Sequence, residues 1–184
     1  MLPPGVDLPL EAMSDDDADA DGRPDEVDDQ GARAFLTFCV DALEYAVPVS
    51  RVTEIVRLPQ RYAIPDVPSY VRGVINLRGK VVPLIDARAR FGLLDAAYTN
   101  RTVVVVLDLG ETLTGLVVDA VSAVVTIEPA TVAPFQDDDR GPHGAFICGI
   151  AKRDEGLSLM LDIARFAVQQ TPDHTPDTHS GTEH

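Results

Sequence analysis

The chain reads as all-β, built as small barrels. Short apolar runs recur at near-regular spacing, turn residues separate them, and only brief helical stretches intervene. A length of 184 residues with 45% hydrophobic content allows one domain with a sizeable core. The formal charge of -15 is unevenly placed, because residues 1–31 carry eleven Asp or Glu against Arg23 alone. A chain so acidic repels phosphate backbones and anionic lipid, which disfavours a nucleic-acid or membrane-surface role. An SH3-like nucleic-acid binder would also need a basic, aromatic-bearing face, and aromatic content is only 5%.

Residues 1–31 have no hydrophobic periodicity and too little apolar surface to offset the entropy of ordering them, so a disordered acidic tail is expected there. The start MLPPGVDLPLEAM lacks a basic region and a long apolar stretch, and no run approaches the roughly 18 residues of a membrane span, so a cytoplasmic protein is expected. Ala34 to Val40 and Leu43 to Val47 read as an antiparallel hairpin ended by Pro48. Val49, Val52 and Ile55 or Val56 recur at helical spacing, which predicts a short helix with Arg51 and Glu54 on its open face. Three prolines between Leu58 and Tyr70 leave only a short extended piece near Tyr62 to Ile64.

Val71 to Leu77 and Val81 to Ile85 read as two strands, the second buried on both faces. Arg78, Gly79 and Lys80 connect them, and Gly79 can take the positive φ of a tight turn, leaving Arg78 and Lys80 at an exposed tip. Gly73 and Gly79 thus have structural roles, and Asp86 caps a helix from Ala87 to Phe91 that Gly92 stops. Arg101 to Leu107 holds four consecutive valines and predicts a strand buried on both faces. Thr112 to Val118 returns as its partner, with Gly115 marking a bulge or allowing close approach of another backbone, and Ala120 to Ile127 continues as a third strand. Pro129 to Gly144 is a polar surface excursion, followed by a hairpin of Ala145 to Lys152 and Leu157 to Leu161 and a final helix, Ile163 to Val168, capped by Asp162. Residues 169–184 are expected to be a second disordered tail.

The run Arg72-Gly73-Val74-Ile75-Asn76-Leu77-Arg78-Gly79, followed by Val82-Pro83-Leu84-Ile85-Asp86, resembles the CheW family of chemotaxis coupling proteins. Val52-Thr53-Glu54-Ile55 before it and Thr114 to Val121 after it stand in the family's order, and the likeness spans roughly Ala34 to Val168. The resemblance implies two intertwined five-stranded SH3-like barrels within a domain of residues 32–168. The first would be built mainly from residues 34–80 plus the C-terminal helix 162–168, and the second mainly from 81–160. It also implies a non-enzymatic adaptor joining methyl-accepting chemoreceptors to the regulatory domain of a CheA-type histidine kinase, in flagellar chemotaxis or another chemosensory pathway. Such an adaptor would use no cofactor, sit in the cytoplasm at receptor arrays, and be a monomer or weak self-associator alone. Arg78 and Glu54 match the family's functional surface, and their approach would lock the hairpin tip to the short helix. Val52, Val103 and Gly115 are carried from the family's receptor groove, although for the two valines ordinary core is the better reading. A full kinase or an adaptor with a receiver domain would need a longer chain.

A catalytic constellation is not visible. Cys39 and Cys148 lie in apolar strand-like sequence, where a buried thiol acts as a small hydrophobe. A thiol enzyme pairing Cys148 with His143 would need an exposed, activated cysteine and an orienting third group. His174, His179 and His184 have no closed metal-site spacing, and Asp137-Asp138-Asp139 lacks the glycine and distal glutamate of a calcium loop.

Overall fold

The computed structural model describes residues 33–135 and 144–167. The two tails, the Asp137-Asp138-Asp139 cluster, His143 and Val168 lie outside the described residues. Among the described residues, eleven strands form two sheets, with two short α-helices. The strands are β1 (Arg33–Val40), β2 (Leu43–Pro48), β3 (Val52–Arg57), β4 (Val71–Leu77), β5 (Lys80–Asp86) and β6 (Val103–Asp108), then β7 (Leu113–Val118), β8 (Ala120–Ile127), β9 (Val132–Pro134), β10 (Ile147–Arg153) and β11 (Gly156–Leu161). Helix α1 (Ala87–Arg90) follows β5 and α2 (Ile163–Ala167) follows β11.

One sheet has six strands in the order β8-β1-β2-β11-β10-β9, and the other has five in the order β3-β6-β7-β5-β4. Each contains one parallel pair, β2 with β11 and β5 with β7. The chain therefore starts in the first sheet, builds the whole of the second from residues 52 to 118, and returns to complete the first. This is the intertwined two-barrel, all-β architecture expected, but divided differently. Residues 34–80 and 81–160 do not form separate barrels, because β1 and β2 find their partners in β8 and β11, far along the chain.

The barrel interiors and the seam between them form three apolar clusters. Ile75, Val82, Leu84, Val104, Val106 and Val117 fill the second barrel, while Ala46, Ile127, Ala151 and Met160 sit inside the first. Between the barrels lies the largest cluster, drawn from both sheets and both helices, including Phe38, Tyr45, Val105, Leu107, Phe91 and Phe166. Four consecutive valines are explained by this arrangement, since Val104 and Val106 face a barrel interior and Val105 and Leu107 face the seam. The few aromatic residues concentrate in the seam, where Phe38 and Tyr45 stack at 6.0 Å, Tyr45 and Phe91 at 4.8 Å, and Phe91 and Phe166 pack at 5.2 Å. Each such pair adds about 0.5–1.5 kcal/mol beyond its buried area.

Several expectations are corrected. The helix expected after Val49 is a single 3-10 turn, Val49–Arg51, and then strand β3. Val52, Thr53, Ile55 and Val56 are β-branched, a shape that suits a pleated surface, and pairing with β6 outweighs the helical spacing. Strand β5 is not buried on both faces, since Val81 is 70% exposed beyond the end of the core. The excursion after Pro129 is partly structured, because Val132–Pro134 adds an edge strand to β10 and Phe135 packs on the central core. Cys148 is exposed rather than buried, at an irregularity in the pairing of β10 with β11, and Cys39 is half-buried.

A candidate docking surface at the hairpin tip

Strands β4 and β5 pair from Val71 with Ile85 to Leu77 with Lys80, so the turn is two residues, Arg78 and Gly79. Both hold left-handed backbone, at φ 52° and 85°. That is the two-residue turn whose twist matches a β-hairpin, and it suits glycine, whereas an arginine held there costs on the order of 1 kcal/mol. The Asn76 side chain offsets part of this, its Oδ1 accepting a hydrogen bond from the Gly79 N–H at 2.9 Å. Lys80 belongs to the strand, not to the turn as expected.

At this tip Arg78 Nη2 donates to Glu54 Oε2 at 3.3 Å. The expected pair thus exists, with Glu54 presented from strand β3 instead of a helix. The arginine side chain is 81% exposed and the glutamate 21%, so the carboxylate is a half-sheltered anchor and the guanidinium a solvent-facing fork. A lone exposed pair of this kind adds little to stability, about 0–1 kcal/mol, and its geometry leaves guanidinium donors free for another carboxylate.

Glu54 begins a row that crosses the sheet through Val106 and Gly115 to Leu84. Gly115 is buried in that row without a bulge, and a Cβ there would lie 2.6 Å from Leu84 Cδ2 and 2.8 Å from Val104 Cγ1. The glycine lets two barrel-interior side chains meet over the strand, so it lines no open groove. Val52 and Val103 are half-buried against the central core and stand at opposite ends of β6, opposite Leu107 and as its first residue. The structure therefore brings Arg78 and Glu54 together and leaves Val52, Val103 and Gly115 in packing positions.

Gly73 and Asp86 hold the base of the hairpin. At Gly73 φ is 119°, and a Cβ would lie only 2.3 Å from the Tyr62 carbonyl oxygen. The bare backbone there allows Tyr62 and Val74 to exchange N–H···O bonds of 2.8 and 2.9 Å, fastening the proline-rich segment to β4. Asp86 caps α1, its Oδ1 accepting from the Ala89 N–H at 3.3 Å. It also accepts from Arg72 Nε at 3.2 Å and from the Tyr98 hydroxyl at 2.7 Å, so the cap is the nearly buried centre of a polar cluster. Burial first, and then the bond to Asp86, pushes the Tyr98 hydroxyl up to about 12.

Sequence reasoning missed a second charged node. Arg88 on α1 donates to both carboxylate oxygens of Asp119 at 3.0 Å and to Asp41 Oδ1 at 3.2 Å. It ties the β1–β2 turn to the point where the chain leaves one sheet for the other. Burial would raise the Asp119 carboxyl, but the Arg88 guanidinium and the Asp41 N–H hold it below the usual range. Charge pairs so far apart in sequence carry no local pattern. An open cleft of about 630 Å³, lined by Lys80, Val81, Pro83 and the β6–β7 turn, runs beside the hairpin and was also not foreseen.

For a thiol enzyme the geometry offers little. Cys148 is exposed as a residue, yet its Sγ–H donates to the Met160 carbonyl at 3.4 Å. Burial of the sulfur and the Asp162 carboxylate both push the thiol up, opposite to what a nucleophile needs. Among the described residues no cluster of His, Cys, Asp and Glu could hold a metal ion, and no helix is long and apolar enough to cross a membrane.

Two sheet-built barrels thus share one core, with an exposed arginine at a constrained hairpin tip. The CheW-like domain family model matches residues 34–170, and the chain belongs to that family. It is similar to the chemotaxis protein CheW of Rhizobium meliloti, at 38% identity over 72% of this chain and 86% of that one. It is also similar to CheW of Klebsiella aerogenes, at 32% identity over 71% and 79% of the two chains. Among solved structures, the scaffolding protein TtCheW from Thermoanaerobacter tengcongensis superposes with a TM-score of 0.66 at 28% identity, covering 71% of this chain and 88% of that one. The family is one of non-enzymatic chemotaxis adaptors.

Proposed function

We propose that this chain couples the cytoplasmic tip of chemoreceptors to the regulatory domain of a CheA-type histidine kinase, acting at receptor arrays and turning nothing over. The observation that carries this reading is the Arg78–Glu54 pair, set at the tip of a family-matching hairpin with the arginine facing solvent. A scaffold that binds two partners at once raises their effective concentration for each other, and it can pass on a state only if each contact differs between states. The exposed fork suits a carboxylate on either partner. In isolation the chain is a monomer or weak self-associator, since an adaptor completing a larger assembly keeps its own interfaces modest.

Reconstitution tests the reading. Kinase and receptor signalling fragments from the source organism, mixed with this protein, should form a ternary complex that neither pair forms as tightly. A protein that bound neither fragment at micromolar concentration would sink the proposal.

A further inference from the structure

Most of the arginines bound into the fold have carboxylate partners: Arg72 with Asp86 and Asp95, Arg78 with Glu54, Arg88 with Asp41 and Asp119, and Arg153 with Glu44 and Glu155. Arg57, Arg61 and Arg101 are exposed and, among the described residues, have no carboxylate within ion-pair distance. They share one corner of the second barrel. Arg57 ends β3 opposite Val103, Arg101 lies two residues before Val103, and the Arg61 guanidinium sits 5.2 Å from the centre of the Tyr98 ring, three residues before Arg101. Bonds of 3.2 Å, from Arg101 N–H to Thr99 Oγ1 and from Thr102 N–H to the Thr99 carbonyl, fix the turn that carries Tyr98 and Arg101. Among the described residues, Arg33, Arg51, Lys80 and Lys152 also have no carboxylate partner, but none of them has another unpaired cation within five residues.

Three unneutralised arginines at one end of β3 and β6, with Arg61 lying over an exposed aromatic ring that shields it on one side, are an anion-accepting surface, for guanidinium forks take carboxylates. In a chain of formal charge -15, the densest concentration of carboxylates is residues 7–29, which hold eleven Asp or Glu. That segment joins the fold at Arg33, the first residue of β1. Each residue spans at most about 3.3–3.6 Å, so a segment of this length reaches any corner of a domain this size. Covalent attachment also keeps it at an effective concentration on the order of millimolar at the barrel surface.

We propose that the acidic segment 7–29 docks on the Arg57–Arg61–Arg101 corner as an intramolecular ligand, so that an acidic partner segment must displace it to use that corner. The inference does not rest on the kinase-and-receptor reading. It makes the corner's availability depend on salt, since contacts among solvent-facing charges are screened over about 8 Å at physiological ionic strength and about 3 Å at 1 M.

The test is paramagnetic relaxation in the full chain, with a nitroxide on Ser14→Cys in a Cys39→Ser, Cys148→Ser background. The amides of Arg57, Arg61, Tyr98 and Arg101 should lose more than half their intensity at 50 mM salt and regain it at 1 M. The charge-reversed variant Arg57→Glu, Arg61→Glu, Arg101→Glu, with all three changes on exposed positions, should abolish the loss while circular dichroism stays native. Broadening centred elsewhere, spread evenly over the domain, or unchanged in the charge-reversed variant would overturn the proposal. Mixing spin-labelled unenriched protein with unlabelled nitrogen-15 protein separates the sources. Broadening that passes between molecules would mean that a second copy, not the chain's own segment, fills the corner, and that too would overturn it.

Discussion

Arg78 combines an unfavourable backbone with an exposed side chain, and this separates its contribution to stability from its contribution to binding. At φ 52° it sits where glycine is at ease and arginine is strained, so Arg78→Gly should leave folding stability unchanged or raise it by up to about 1 kcal/mol. Arg78→Ala keeps the strain and loses only a solvent-exposed pair, so it should cost less than about 1 kcal/mol. In titration calorimetry both variants should bind kinase or receptor more than tenfold more weakly, and Arg78→Lys should recover little, because an ammonium cannot reproduce the planar fork. Wild-type binding by Arg78→Ala would return the residue to the status of a solvated charge. Asp86 is the opposite case. With Arg72, Tyr98 and the first turn of α1 all converging on a carboxylate only 4% exposed, Asp86→Ala should cost about 2–4 kcal/mol in urea unfolding, chiefly by stranding the arginine and the hydroxyl. Tyr98→Phe, which removes one hydrogen bond of that cluster, should cost about 1 kcal/mol.

Among the elements, the glycines of β4 and β7 give a second comparison. Gly73→Ala places a Cβ against a backbone carbonyl at a φ no alanine tolerates, and relief requires opening the Tyr62–Val74 bridge. Gly115→Ala meets only side chains, which can turn away, so about 1–3 kcal/mol is expected there and more at Gly73. Chemical denaturation of the two variants checks the order, and Gly73→Ala should in addition speed amide exchange at Val74. Both strands were legible in the sequence, as was the tip, because apolar runs bounded by turn residues and a glycine hairpin turn are local patterns. Strand β3 was not, since Val49, Val52 and Val56 fit a helical stripe as well as Val52, Glu54 and Val56 fit an alternating one. Only the partner strand β6 breaks that tie, and it lies some fifty residues away. Gly115 was read as a bulge or a close approach of another backbone, and it is neither, since its pairing is regular and what crowds it are the Leu84 and Val104 side chains inside the barrel.

The whole molecule is held at its seam by groups whose ionisation differs between folded and unfolded chains, and this sets limits on its pH range. Which strands share a sheet was not legible locally either, because β1 is sealed by β8 and β2 by β11, and the Arg88–Asp119–Asp41 node forms only once those crossovers exist. Asp119 is held below its ordinary value in the fold, so its contribution to stability is complete above the unfolded carboxylate value near 3.9 and is lost as pH falls through the folded one. At the alkaline end, burial and then the Asp41 carboxylate push the Tyr45 hydroxyl up to about 12, and Tyr98 is likewise near 12, against an ordinary 10.0. A raised tyrosine means that the unfolded chain ionises first. Stability from both hydroxyls is therefore intact below pH 10 and drains away between 10 and 12. Urea midpoints measured from pH 3 to 11.5 should form a plateau with both limbs falling. Arg88→Ala should lower the plateau and flatten the acid limb, since Asp119 without its main partner is no longer held below its ordinary value. Tyr98→Phe should make the alkaline limb shallower by one proton while leaving the acid limb where it was, because only Tyr45 and the raised Cys148 thiol then remain to drive it. An alkaline limb of unchanged slope in Tyr98→Phe would mean that the hydroxyl bonded to Asp86 ionises as readily in the fold as in the open chain, and that the cluster around Asp86 is not the proton trap its geometry describes.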